Sequence, residues 1–481
     1  MSYKMKIRAW KIVCLVLVLL SCATCASQTE KSAAVSEVKS VQPVSEVKNT
    51  QPKVQPVAAK VLAEVPYRPT VRPDRIILTW EGDPRTSQAV TWRTDTTVGK
   101  AFAQIAEAND GPKFSSGAKD VPASTSFLMW EQQAAANYHS VNFTNLSPKT
   151  KYVYRVGDGN NWSEWNQFTT ASEKPEPFTF IYFGDAQNDI MSRWSRVIRQ
   201  AYSDAPDAAF MLYTGDLVGY SGSDEQWGEW FYAGGFIYRM MPSIAAPGNH
   251  ERVRETMPDG KKRGRLTPYW RAMFEFPLNG PEGLEESAYW LDYQGARIII
   301  LNSSEQQEKQ SDWLDEVLST NKNSWTIITF HHPTYPASDN NKDGKLRRLW
   351  QPVFDKYSVD LVLQGNDHTY LRSALMVSDD PNAASSRSGK AGTVYVVSVS
   401  GPKMYKLRPR QPWMSRIAED TQLYQIIKID GEQLHYESRT AAGRLYDAFT
   451  LRKRPGQPNE LIEQIPATPE HLRPPEPAKN K

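Results

Sequence analysis

The sequence predicts an α/β fold, a β-sandwich flanked by helices, preceded by a separate all-β sandwich. Three observations predict it. Residues 67–172 show short strand-like runs divided by polar turns, whereas from residue 175 strand-like and helix-like runs alternate. In the second region, five short apolar runs each lead into a polar block rich in Gly, Asp, Asn and His. The runs are Phe178–Phe183, Ala208–Tyr213, Ser243–Ala246, Trp325–Phe330 and Val359–Leu363. The blocks are Gly184-Asp185-Ala186-Gln187, Gly215-Asp216, Gly248-Asn249-His250-Glu251, His331-His332 and Asn366-Asp367-His368. Of the 7 histidines, four fall inside these blocks, a clustering that scattered structural histidines would not show.

Taken in order, the chain begins with Lys4, Lys6, Arg8 and Lys11 around and before the apolar run Ile12–Leu20. That run is shorter than the roughly 20 residues that cross a bilayer, so residues 1–26 read as an export signal. Leu19-Leu20-Ser21-Cys22 resembles a bacterial lipobox with Cys22 as the lipidated residue. Ordinary cleavage near Ala26 and a short membrane anchor are the alternatives. The expected location is periplasmic or outer-membrane/cell-surface, held to a membrane by lipid alone. All 3 cysteines, Cys14, Cys22 and Cys25, lie in this leader. The folded body is therefore expected to use no disulfide, thiolate metal site or cysteine nucleophile. Without the four basic residues of the leader, the formal charge falls from +3 to −1, so charge implies no nucleic-acid partner.

Residues 27–66 carry a near-repeat, Val35–Pro43 then Val44–Pro52, and too little apolar surface for a core. An extended, disordered tether is expected there. In 67–172, strands are expected at Arg75–Trp80, Gln88–Arg93, His139–Phe143 and Lys151–Val156, with His139 structural. The segment from Leu146 to Val156, with Tyr152 and Tyr154, resembles the corner and strand of a fibronectin type III sandwich, where a tyrosine packs at the corner and bonds nearby backbone. In 175–453, Ile190, Trp194, Val197 and Ile198 share a helical face within Ile190–Tyr202, as do Trp313, Leu314, Val317 and Leu318. Strands Arg297–Leu301 and Thr393–Val399 and a β-rich segment Leu423–Thr450 complete the sheets. Residues 454–481, rich in proline and charge, are expected to form a surface-hugging or disordered tail.

Two cations held ~3.5–4 Å apart can bind a phosphate, deprotonate a water and stabilise a leaving oxygen. Such a centre needs one bridging carboxylate, with terminal carboxylate, amide and imidazole ligands on either side. Oxygen and nitrogen donors suit Fe, Mn, Zn or Mg. The order of the blocks resembles the calcineurin-like metallophosphoesterase superfamily, and with the preceding fibronectin-like domain the nearest group is the purple acid phosphatases. The resemblance covers about residues 67–452.

It implies Asp185 and His368 on a first metal, Asp216 as the bridge, and Asn249 and His331 on a second metal. It implies that His250 contacts phosphate and protonates the leaving alkoxide or orients the nucleophile. It also implies that Glu251 holds His250 by a hydrogen bond. His332 is read either as a substrate contact or as structural. Three positions depart from the family pattern. The tyrosine that colours purple acid phosphatases belongs at Gly219, and Tyr220 lies one residue later. Gln187 stands where relatives carry His or Gly, and is read as a ligand or a partner of one. Asn366 replaces the first His of the usual His-x-His, with Asp367 read as a supporting group. Gly401–Tyr405 is expected to form a turn against the core, with Lys403 or Tyr405 at the substrate rim as the alternative. The basic run Lys261–Arg265 is expected in a loop.

The implied function is an exported, metal-dependent hydrolase of small phosphomonoesters, in which a metal-activated hydroxide attacks phosphorus. The alternatives are a phosphodiesterase or nucleotide hydrolase on the same scaffold, and a non-catalytic cell-surface binding protein with a degenerate site.

Overall fold

The computed structural model describes residues 67–256, 260–338, 344–376, 392–454 and 457–474. The expectations for the leader, for Cys22 and for the 27–66 tether lie outside these residues.

The first domain is a sandwich of two four-stranded antiparallel sheets. One runs in the order Asp74–Thr79, Gln88–Thr94, Ala136–Phe143, Ser124–Leu128, and the other Lys119–Pro122, Phe102–Glu107, Lys151–Gly157, Asn166–Thr169. Alternation sorts the side chains: Ile76, Leu78, Val90, Trp92, Val141, Phe143, Tyr154 and Val156 fill the space between the sheets. The tyrosine corner forms as expected, with the Ser147 N–H donating to the Tyr152 hydroxyl at 2.9 Å. His139 is structural: its ring lies 5.3 Å from Trp92, and both its nitrogens meet threonine hydroxyls, Thr94 at 2.8 Å and Thr125 at 2.9 Å.

The opposite face of the first sheet is not free. Ile77, Trp80, Ala136 and Tyr138 belong to the core of the second domain. Charge reinforces the join. Arg93, fully buried, reaches Asp74 at 2.7 Å and Asp224 at 3.0 Å, and Arg75 meets Asp224 at 2.7 Å. Asp224 opens the helix Asp224–Gly234 of the second domain, capped by Ser223.

The second domain packs two seven-stranded sheets. The first runs Ser243–Ala245, Phe210–Tyr213, Phe178–Phe183, Leu423–Asp430, Gln433–Thr440, Leu445–Arg454, Gln457–Glu463. The second runs Tyr289–Tyr293, Ala296–Ile300, Trp325–Thr329, Leu361–Gln364, Thr393–Val397, Tyr370–Met376, Met414–Ala418. The helical stripe from Ile190 is buried as expected, its first turn a π-helix (Ile190–Trp194) leading into the α-helix Ser195–Asp204.

The expectation of a surface-hugging or disordered tail over 454–481 is corrected for its first part. Gln457–Glu463 forms a strand antiparallel to Leu445–Arg454. Its polar side chains are not solvated decoration: Glu463 pairs with the fully buried Arg372 at 2.6 Å, and Asn459 donates to buried Asp360 at 2.5 Å. Composition concealed the strand because those polar groups are spent on partners in the sheet.

Candidate metal centre

Phe178–Phe183, Phe210–Tyr213 and Ser243–Ala245 are mutually parallel in one sheet, as are Trp325–Thr329 and Leu361–Gln364 in the other. The five polar blocks therefore leave carboxyl ends of parallel strands, where open α/β sheets place their sites. They converge: Asp185, Asp216 and His331, all buried, each present a ligand atom within 4.8 Å of the others. Tight backbone approach permits this. A Cβ at Gly248 would collide with Asp216 Oδ1, and one at Gly365 would crowd Asp185 Oδ2. Asp216, Asn366 and His368 adopt left-handed φ of +51°, +68° and +47°, strain that the surrounding contacts hold in place.

Three histidines share one design. Nδ1 of His331 meets the Thr214 carbonyl at 2.8 Å, Nδ1 of His368 meets the Lys403 carbonyl at 3.0 Å, and Nδ1 of His250 meets the Gly219 carbonyl at 2.5 Å. A carbonyl can only accept, so Nδ1 carries the proton and Nε2 is turned inward with its lone pair available. His331 Nε2 lies 3.2 Å from Asp216 Oδ2, 3.2 Å from Asn249 Oδ1 and 3.9 Å from Asp185 Oδ1. His368 Nε2 lies 3.8 Å from Asp185 Oδ1, and His250 Nε2 3.8 Å from Asp216 Oδ2. Asp216 Oδ1 accepts from the His250 N–H at 2.9 Å, while Oδ2 faces Gln187 and His331.

The residues fit a pair of cations. Burial, then the neighbouring carboxylate of Asp216, pushes the Asp185 carboxyl well above its usual range despite His331. Burial also opposes the charge of Asp216, but His331 and His250 together hold that carboxyl below its usual range. Burial works against a charged His331, yet Asp216 and Asp185 push it up to about 10. Two buried carboxyl groups thus crowd around a single imidazole, a concentration of charge that bound cations would relieve. Asp185 Oδ1 and Gln187 Oε1 are buried and make no hydrogen bond, an arrangement that calls for a positive partner. All donors are oxygen or imidazole nitrogen, which suits Fe, Mn, Zn or Mg.

Gln187 sits between the two halves, its Nε2 2.8 Å from Asp216 Oδ2 and 3.2 Å from His368 Nε2. Turning the amide end for end would put its oxygen there. Asn366 contributes its backbone N–H to Asp185 Oδ2 at 2.7 Å. Among the described residues its side-chain amide has no hydrogen-bond partner. Asp367 turns away to accept from the Ala337 and Ser338 N–H groups at 2.5 and 3.0 Å, which makes it a loop anchor.

The expected tie between Glu251 and the His250 ring is corrected. The Glu251 carboxylate is fully buried and accepts three backbone N–H bonds, from Asp216 at 2.7 Å, Leu217 at 2.9 Å and Gly248 at 2.8 Å. It clamps the Gly215-Asp216 turn to the Gly248-Asn249 turn, and the Gly219 carbonyl steers His250 instead. The basic run is also corrected: Lys262–Leu266 is a strand, hairpinned to Arg252–Thr256. Lys403 acts through its carbonyl, and the Tyr405 ring lies 4.6 Å from His368. His332 is held by Ser303, with its Nδ1 2.8 Å from Oγ. Sequence reading missed Thr214, Ser303 and Lys403 as supports because each acts through a carbonyl or hydroxyl that carries no motif.

Residues 73–170 match the family described as purple acid phosphatase, N-terminal domain, and residues 178–370 match calcineurin-like phosphoesterase. These two matches lie side by side, so the chain carries the domain pair of the purple acid phosphatases, an N-terminal domain of that family followed by a calcineurin-like phosphoesterase domain.

An uncharacterized protein of Mycobacterium tuberculosis is 25% identical over 60% of this chain and 60% of its own length. A purple acid phosphatase of Glycine max is 28% identical over 49% of this chain and 52% of its own. The chain thus spans less than two thirds of the length of those relatives. Among solved structures, the purple acid phosphatase PPD1 from yellow lupin (Lupinus luteus) superposes with a TM-score of 0.65 at 20% identity, covering 79% of this chain and 74% of that one. Against the family pattern, Tyr220 stands outside the centre: it is exposed, it lies near Glu131, and its ring lies over Gly222.

Proposed function

We propose that the chain hydrolyses small phosphomonoesters at a two-cation centre. Asp185, His368 and Gln187 would hold the first cation, Asn249 and His331 the second, with Asn366 beside them and Asp216 shared. The bound cations supply charge neutralisation and an acidified water. The chain's own groups do the rest. Asn249 and His250 border the place where a phosphoryl group would dock. The His250 ring, partly exposed at the mouth and fixed by the Gly219 carbonyl, aims Nε2 inward to contact phosphate and pass a proton to the leaving oxygen.

The observation that carries this reading is the position of Asp216 Oδ2, within reach of ligands from both halves of the sandwich. The leader supports an exported protein lipidated at Cys22, which a Cys22→Ala variant tests by loss of membrane retention. The test of activity compares an aryl phosphomonoester with an aryl phosphodiester under added Mn, Fe, Zn or Mg. Monoester turnover is expected, lost in Asp216→Asn together with bound metal. Preference for the diester would replace the substrate class. No turnover by the folded protein with any ion would overturn the reading.

A further inference from the structure

A group that gives the leaving oxygen its proton must lie against that oxygen, so the alcohol of the ester departs past the His250 ring. What flanks His250 at the mouth is therefore what the alcohol meets. Two hydrogen bonds set this flank. The Gly219 carbonyl accepts from His250 Nδ1 at 2.5 Å, and the Ser221 N–H donates to the His250 carbonyl at 3.3 Å. Tyr220 sits between these two anchors, so its backbone runs alongside His250.

The Tyr220 side chain is both held and accessible. One face of its ring lies on Gly222, where a Cβ would come within 2.5 Å of the ring Cζ, and the residue is still 45% exposed. A loop of the first domain stands beside it: Glu131, with a left-handed φ of +50°, lies near Tyr220. That loop is anchored on the second domain. Gln133 Oε1 accepts from the Asp224 N–H at 3.2 Å, Trp130 packs against the core shared with the second domain, and the Arg265 guanidinium lies 5.4 Å from the Trp130 ring. An aromatic side chain that is already ordered loses little freedom when a second ring packs on it, and ring pairs gain beyond the area they bury.

Resting on the phosphoesterase reading, we infer that Tyr220 is a specificity-determining residue, a platform at the mouth that receives the alcohol of the ester and favours alcohols carrying an aromatic ring. The full-length protein, loaded with whichever ion supports aryl phosphate turnover, is assayed on phenethyl phosphate and ethyl phosphate. Their alcohols leave with similar basicity, so a difference between them reports contact rather than chemistry. Phenethyl phosphate is expected to exceed ethyl phosphate in kcat/KM by about five- to ten-fold, chiefly through KM.

Tyr220→Ala and Tyr220→Leu are each expected to shrink that ratio several-fold, whereas Tyr220→Phe keeps it. Tyr220→Leu keeps the test valid if loss of the whole side chain disturbs the turn. Equal kcat/KM for the two esters, or a preference that neither Tyr220→Ala nor Tyr220→Leu moves, overturns the inference while leaving the phosphoesterase reading intact. No turnover of any ester with any ion overturns both.

Discussion

Glu251 spends its carboxylate on three backbone N–H groups, and an amide in its place has one oxygen to offer instead of two. Glu251→Gln is therefore expected to loosen both turns that carry Asp216 and Asn249. The outcome should be a stability loss of about 2 kcal/mol together with weaker metal retention, read by thermal melting and metal content. A variant that loses kcat alone, with metal retention intact, would restore the simpler role of orienting His250. At Tyr220 the expectation is spectroscopic. The iron-loaded protein should lack a tyrosinate–iron band, since that ring lies near Glu131, and a band would place it in the centre. His139 sets a pH dependence far from the chemistry. Burial pulls its pKa from 6.5 down to about 4, so in that interval the unfolded chain binds a proton that the folded one refuses. Stability from this group is intact above about pH 6.5 and falls as pH drops towards about 4. The difference in melting temperature between wild type and His139→Gln should change across that window and be flat above it.

At the scale of elements, the site strands were legible because each ligand follows its strand directly, so apolar run and polar block sit side by side in the chain. Glu131 was not legible: it comes near Tyr220 only because a loop of the sandwich meets the second domain, and it has no motif. Glu251 was found but assigned the wrong partner, since backbone N–H groups have no sequence identity. The sandwich strands Lys119–Pro122 and Ser124–Leu128 escaped because most of their side chains are exposed, which erases alternation. The corner at Tyr152 was readable, and Tyr152→Phe, which removes the acceptor of the Ser147 N–H, should cost about 1 kcal/mol in chemical denaturation. The strand Gln457–Glu463 makes a larger demand. Ending the chain at Arg454 strips Arg372 of Glu463 and Asp360 of Asn459, leaving buried charge short of partners, so strong destabilisation is expected.

Across the whole molecule, Asp224 is where the two domains hold each other, through Arg75 and Arg93. Asp224→Ala leaves two buried guanidinium groups under-compensated and should cost about 3–5 kcal/mol. Calorimetry should show one transition in the wild type and two in the variant, and a single unshifted transition would deny the coupling. Beneath the charges lies the apolar seam, with Ile77, Trp80 and Tyr138 of the sandwich embedded in the core of their neighbour. Shuffling by recombination at residue 173 would tear that seam and leave greasy scars on both fragments. The two halves are therefore bound to be inherited as a pair, and any lineage that sheds the sandwich must first repaint the face it covered.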